Sequence, residues 1–227
     1  KRIFLSLTIL LMSVAIMAQN KQPITGAYLA KQGKVNHLWL FVDGYSSYIQ
    51  YEDEKYLSTW GGPFSEGANG IQVQVEFNDA KPDDVGNPKE TQANVDSEGI
   101  TMGNLKFKKL PTKKQGLDGL WRITGRKQGD IISEIHRGDR KTIKILIDGY
   151  FQWIAINPAE KGFYGTGGGN YTFKNDKYTE KILFFSRDNS RIDAELSFDG
   201  EIKNDQWHHS GLSSKGDSLY EIWSRDK

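Results

Sequence analysis

The chain has 227 residues, with 30 basic against 29 acidic side chains, so no global field draws it toward nucleic acid or anionic lipid. It contains no cysteine, which excludes disulfides, thiolate metal ligands and cysteine nucleophiles and leaves burial and backbone pairing to hold the fold. Abundant glycine, 24 residues, beside 12% aromatics is the composition of strands and turns.

Lys1-Arg2 precedes an apolar run from Ile3 to Ala18, and Gln19-Asn20-Lys21-Gln22-Pro23 is abruptly polar. The pattern is that of a secretory signal peptide over residues 1–18, cleaved after Ala18. The run is shorter than the ~20 residues of a spanning helix. The expected mature chain has no membrane span and is exported, periplasmic or extracellular, in a Gram-negative bacterium.

Residues 24–110 read as short strands broken by turns. Thr25-Gly26-Ala27-Tyr28-Leu29 opens the unit, residues 37–42 meet the Asp43-Gly44 turn, and residues 45–51 leave it; a β-branched or aromatic run on each side of Asp-Gly predicts a tight hairpin. In residues 57–64 the Gly61-Gly62-Pro63 triplet predicts a bulge or strand end. Ile71 to Phe77 alternates apolar with polar, the pattern of one strand with one buried face, and residues 80–88 form a turn-rich loop. Three further short strands are expected near residues 92–95, 99–101 and 105–107.

Pro111-Thr112-Lys113-Lys114-Gln115-Gly116 has no apolar residue and reads as a linker. A second unit, 117–227, then repeats the plan of the first. Gly119-Leu120-Trp121 matches Gly26-Ala27-Tyr28, and the hairpin at Asp148-Gly149 matches that at Asp43-Gly44. Residues 126–140 are an insertion that forms a lid or an extra strand. Gly165-Thr166-Gly167-Gly168-Gly169 echoes the earlier glycines as a bulge. Strands are expected over residues 178–185, 192–198, 200–202, 206–211 and 219–225. With short connections and no 3.6-period stretch long enough for a crossover helix, the fold class is all-β, two tandem antiparallel up-and-down meander barrels.

At Gly119-Leu120-Trp121 the second unit resembles the lipocalins and related calycins, whose first strand carries Gly-x-Trp and whose last strand supplies a basic residue that covers that Trp. The resemblance implies Arg225 as that residue, a closed end and an open mouth, and the stretch from Gly165 through Arg187 to Trp223 resembles lipocalin-like families of secreted bacterial proteins. In the first unit Tyr28 replaces the Trp, and Lys106 or Lys108 is the candidate cation.

Small closed barrels either fill with side chains or hold one ligand. A small apolar ligand is expected in the second barrel, lined by Tyr150, Trp153, Phe184 and Trp207, with Gln152, Glu221 and Arg225 as polar handles. The alternative is a surface module that binds protein or glycan through its loops, its barrels filled. The charged turn Arg187-Asp188-Asn189-Ser190-Arg191 is either a solvated turn or a mouth loop that meets an anionic ligand. His208 and His209 are adjacent, so on a strand they face opposite sides and do not share a metal without a bend. No Gly-x-Ser-x-Gly elbow or His-Glu-x-x-His occurs, so no catalytic residue, metal ligand or cofactor is assigned. A barrel enzyme requires two titratable groups that converge in the cavity.

Overall fold

Asp43 and Gly44 turn with φ of 50° and 75°, and Asp148 and Gly149 with 52° and 80°. Two successive positive φ values make a type I′ turn, whose twist matches that of the flanking strands; Asp and Gly tolerate this conformation better than other residues. The computed structural model describes residues 24–67, 69–213 and 216–226. The expected signal peptide, residues 1–18, lies outside the described residues.

The first sheet comprises β1 (Gly26–Gln32), β2 (Val35–Val42), β3 (Tyr45–Glu52), β4 (Lys55–Gly67), β5 (Gly70–Gln74), β6 (Phe77–Asn78), β7 (Pro88–Gln92), β8 (Asn94–Val95), β9 (Gly99–Met102) and β10 (Leu105–Lys109). Its order is β7-β5-β4-β3-β2-β1-β10-β9-β8, with β6 beside β4. Only Ala93 separates β7 from β8. One extended run therefore pairs with β5 through its first half and with β9 through its second, and the sheet comes round on itself.

The second sheet comprises β11 (Gly119–Gln128), β12 (Ile131–Glu134), β13 (Lys141–Ile147), β14 (Tyr150–Asn157), β15 (Gly162–Lys174), β16 (Lys177–Phe185), β17 (Glu195–Lys203), β18 (Gln206–Leu212) and β19 (Ser218–Arg225). β11 pairs with β13 at its start and with β19 along its length, which closes the ring. The inserted segment supplies β12, an extra strand on the end of β11.

Local expectations change at three places, and at the first the strands expected over residues 192–198 and 200–202 are one strand, β17, which begins at Glu195. Gly61-Gly62-Pro63 lies inside β4 and pairs with β3 throughout. A Cβ on Gly62 would stand 1.9 Å from the Gln74 carbonyl oxygen, so glycine permits the chain to pass close by without ending the strand. The run from Ile71 to Phe77 is two strands. It breaks at Val75-Glu76, where the Val75 N–H turns to the Asn87 carbonyl and the Glu76 N–H to Gly61.

β2, β3, β13 and β14 are buried on both faces, and β2 and β14 accordingly carry long apolar runs. One face lines its own barrel. The other meets the neighbouring barrel in a shared core of Leu38, Leu40, Tyr45 and Ile49 against Ile143, Ile145, Ile154 and Phe184. Leu40 and Ile145 are fully buried there, and each such side chain contributes roughly 1.5–3 kcal/mol relative to exposure. The interior of the first barrel is occupied by rings: Trp39 lies 5.0 Å from Phe41, 5.5 Å from Tyr48 and 5.6 Å from Phe107 between centroids.

Candidate ligand cavity of the second barrel

One end of the second barrel is sealed by aromatic side chains. Trp207 stands 5.9 Å from Trp121, 6.0 Å from Trp223 and 4.9 Å from Tyr178. The Trp121 indole N–H donates to the Leu117 carbonyl at 2.8 Å. Arg225 lies 3.9 Å over the Trp121 ring and donates to the Asp118 carbonyl at 2.5 Å. At Gly119 a Cβ would stand 1.7 Å from Arg225 Nη1, so the guanidinium occupies space that only glycine leaves. The first barrel repeats the arrangement with Tyr28 opposite Lys109, the ammonium 5.8 Å from the ring. The closing cation is therefore Lys109, not Lys106 or Lys108. Lys108 pairs with Leu29 and so projects to the other face, and Lys106, two residues earlier on β10, projects to that same face.

The other end opens into a cavity of about 530 Å³, walled by Ile123, Thr142, Trp153, Ala155 and Trp223. Four titratable groups meet at its inner surface: Lys144, Glu180, His209 and Glu221, all 8% exposed or less. Lys144 pairs with Glu180 at 3.0 Å, and its ammonium lies 5.0 Å from the rings of Tyr178 and Trp207 and 5.2 Å from that of Trp223. A desolvated ammonium among ring faces gains cation–π attraction in addition to the ion pair. The Tyr178 hydroxyl donates to Glu180 at 2.7 Å; burial, then the Glu180 charge, holds that phenol well above its ordinary range.

Glu221 accepts from Arg126 at 3.0 Å and from the Trp223 indole at 3.1 Å. Burial pushes its carboxyl up, and the His209 contact with the Lys144 and Arg126 charges more than offsets this, leaving it below the usual range. His209 Nδ1 stands 3.6 Å from Glu221, beyond hydrogen-bond distance. Burial lowers the His209 pKa and keeps the ring neutral at pH 7, the Glu221 contact opposing this in part. Neither of its ring nitrogens has a hydrogen-bond partner among the described residues.

Of the residues singled out in the sequence, Trp153 and Glu221 line this cavity. Trp207 is buried beneath it, and Arg225 lies at the sealed end. Tyr150, Gln152 and Phe184 belong to the junction between barrels. Gln152 donates to Thr59 of the first unit at 3.1 Å and to Thr166 at 3.0 Å, and Phe184 packs 5.4 Å from Tyr51. Tyr150 packs against the shared core and borders a hollow beside the linker. Tyr150 and Gln152 do share one strand face, as expected, but it is the outer face.

Lys144, Glu180, His209, Arg126 and Arg140 were not assigned to the cavity from sequence, whereas Arg187 was placed at the mouth in one of the two readings of its turn. A lysine at an inward position of the run Ile143-Lys144-Ile145 is the one signal that marks a buried charge in advance. His208 faces away from His209, as expected, and bonds the Tyr220 hydroxyl at 2.9 Å. A wider groove of about 980 Å³ lies outside the sealed end, bordered by Arg225 and by turn residues such as Asn204 and Asp205.

Neither a protein-family model nor a curated protein matches this chain. The functional reading rests on the cavity itself.

Proposed function

We propose that this chain is a lipocalin-like exported binding protein that holds a small molecule in its second barrel, with the first barrel as a filled support. The observation that carries the reading is the open cavity of about 530 Å³, within the ~300–1,000 Å³ range of small-molecule sites, beside a first barrel whose interior is packed with rings. Trp121 under Arg225 supports the lipocalin-like likeness. The basic pair Lys1-Arg2 followed by the apolar run to Ala18 supports export. The buried polar groups of the cavity give a ligand's orientation a physical basis, because each unmatched group inside it is costly.

The test is Ala155→Trp, which puts an indole into the cavity wall. Tryptophan fluorescence titrations with a panel of small organic probes are expected to show saturable binding to the parent protein and none to the variant. Equal binding to both would overturn the reading.

A second reading is favoured by one arrangement. His209, neutral and with neither ring nitrogen hydrogen-bonded among the described residues, has Nδ1 3.6 Å from the ionised Glu221, which leaves a free imidazole base beside a carboxylate. Catalysis predicts a ligand whose mass changes on incubation and is unchanged with His209→Gln; simple binding predicts no change with either.

A further inference from the structure

Arg140 and Arg187 border the cavity mouth. Neither has a carboxylate within ion-pair distance among the described residues, whereas Arg126 and Lys144 at the same cavity are paired with Glu221 and Glu180. A single residue holds both. The Arg140 guanidinium lies 4.0 Å over the Tyr164 ring, while Nε and Nη2 of Arg187 donate to the Tyr164 carbonyl, Nε at 2.8 Å. The seat for Arg187 is prepared in the backbone. Gly165 has φ of 140°, and a Cβ there would stand 2.6 Å from Arg187 Nε. Glu160 accepts from the Tyr164 hydroxyl at 3.4 Å but forms no ion pair with either arginine. Both side chains are exposed, so water screens their mutual repulsion, and an anion seated between them is attracted by both.

Arg187 also stands 5.9 Å from the Trp153 ring, which is part of the cavity wall. Next to that ring, glycine again makes room, since a Cβ on Gly167 would stand 2.7 Å from Trp153 Nε1. The site thus offers charge at the rim and a flat aromatic face immediately inside.

From this geometry we infer that the ligand is an organic anion with a flat apolar body, its anionic group between Arg140 and Arg187 and its body against Trp153. The inference rests on the reading that the second barrel binds a small molecule, and it specifies which kind. Planar guanidiniums suit carboxylate, sulfonate and phosphate oxygens, to which they present paired N–H donors.

The experiment compares anilinonaphthalene sulfonate with phenylnaphthylamine, the same ring system without the sulfonate. Both are titrated onto the full chain, the Arg140→Gln and Arg187→Gln variants and the double variant, with thermal melts to confirm folding. The sulfonate is expected to bind the parent at least about tenfold more tightly than the neutral probe. Each single variant should lose about threefold in sulfonate affinity, and the double variant, having lost the whole of about tenfold, should bind the two probes alike. Neutral-probe affinity should stay constant throughout. Equal affinity of both probes for the parent, or a double variant with undiminished preference, overturns the anion assignment and leaves cavity binding intact. Failure of both probes to bind the parent overturns the binding reading beneath it.

Discussion

Asp43 and Asp148, the first residues of the two equivalent Asp-Gly turns, each accept a backbone N–H from the other unit. Asp43 accepts from Leu120 at 2.9 Å and Asp148 from Ala27 at 3.3 Å; Leu120 and Ala27 each follow the opening glycine of their units. The pairing is reciprocal, as across a two-fold dimer interface. The following connections repeat as well, Leu110 N–H to the Ala27 carbonyl and Asp226 N–H to the Leu120 carbonyl. The two barrels therefore share turn contacts as well as a core.

This sharing predicts one unfolding transition. Urea titrations followed by tryptophan fluorescence and by far-ultraviolet circular dichroism should coincide, and Asp148→Ala should lower stability by about 2–3 kcal/mol through the lost bonds and the positive φ. Asp148→Asn should recover more than half of that, because asparagine tolerates φ of 52°. Two separated transitions would contradict the shared core.

Gln152 distinguishes the junction from the cavity. It is fully buried, and its removal leaves the Thr59 and Thr166 hydroxyls short of a donor. Gln152→Ala is expected to cost about 2–3 kcal/mol in urea unfolding while probe affinity stays within twofold of the parent. A large affinity loss in a fully folded variant would move Gln152 into the site.

How much of this was legible in the sequence follows from where alternation carries information. The Asp-Gly turns and the repeat could be read because each depends on a short local signal, while Arg225 over Trp121 was reached only through the lipocalin resemblance carried by Gly119-Leu120-Trp121. The cavity wall could not. β14 is apolar on both faces, so the alternation of Tyr150, Gln152 and Ile154 with Phe151, Trp153 and Ala155 separates two faces without saying which is inside. The arginine clamp combines residues from the β12–β13 loop and the end of β16. An up-and-down meander brings those loops to the same end of the barrel, but only closure brings them together over Tyr164.

Gly165 should behave as part of the clamp. Gly165→Ala is expected to destabilise the protein by about 1–3 kcal/mol, given its φ of 140°, and to weaken anionic-probe binding while sparing the neutral probe. Unchanged anionic affinity in a melt-verified folded variant would show that Arg187 does not need this seat.

The buried imidazole predicts a particular acid response. His209 has a folded pKa below its ordinary value of 6.5, so the unfolded chain binds its proton first as pH falls. Stability is then unaffected by His209 above about pH 6.5 and declines below it, by at most about 1.4 kcal/mol per pH unit. Glu221 has the opposite charge and the same sense: its stabilisation is complete above its ordinary value of 4.5 and is lost only at lower pH. Unfolding free energies measured between pH 7 and pH 5 should fall in the parent and less steeply in His209→Gln. Parallel curves would contradict a neutral buried His209.

The most direct test of the central claim, one open barrel and one filled barrel, is native mass spectrometry of the complete protein purified without denaturation from its own host, compared with the same sample after unfolding and refolding. The account predicts a single extra small-molecule mass per chain that is lost on denaturation, returns when the extract is added back, and is absent from Ala155→Trp. A bare polypeptide mass, with no uptake of the host extract by the refolded parent, would contradict it.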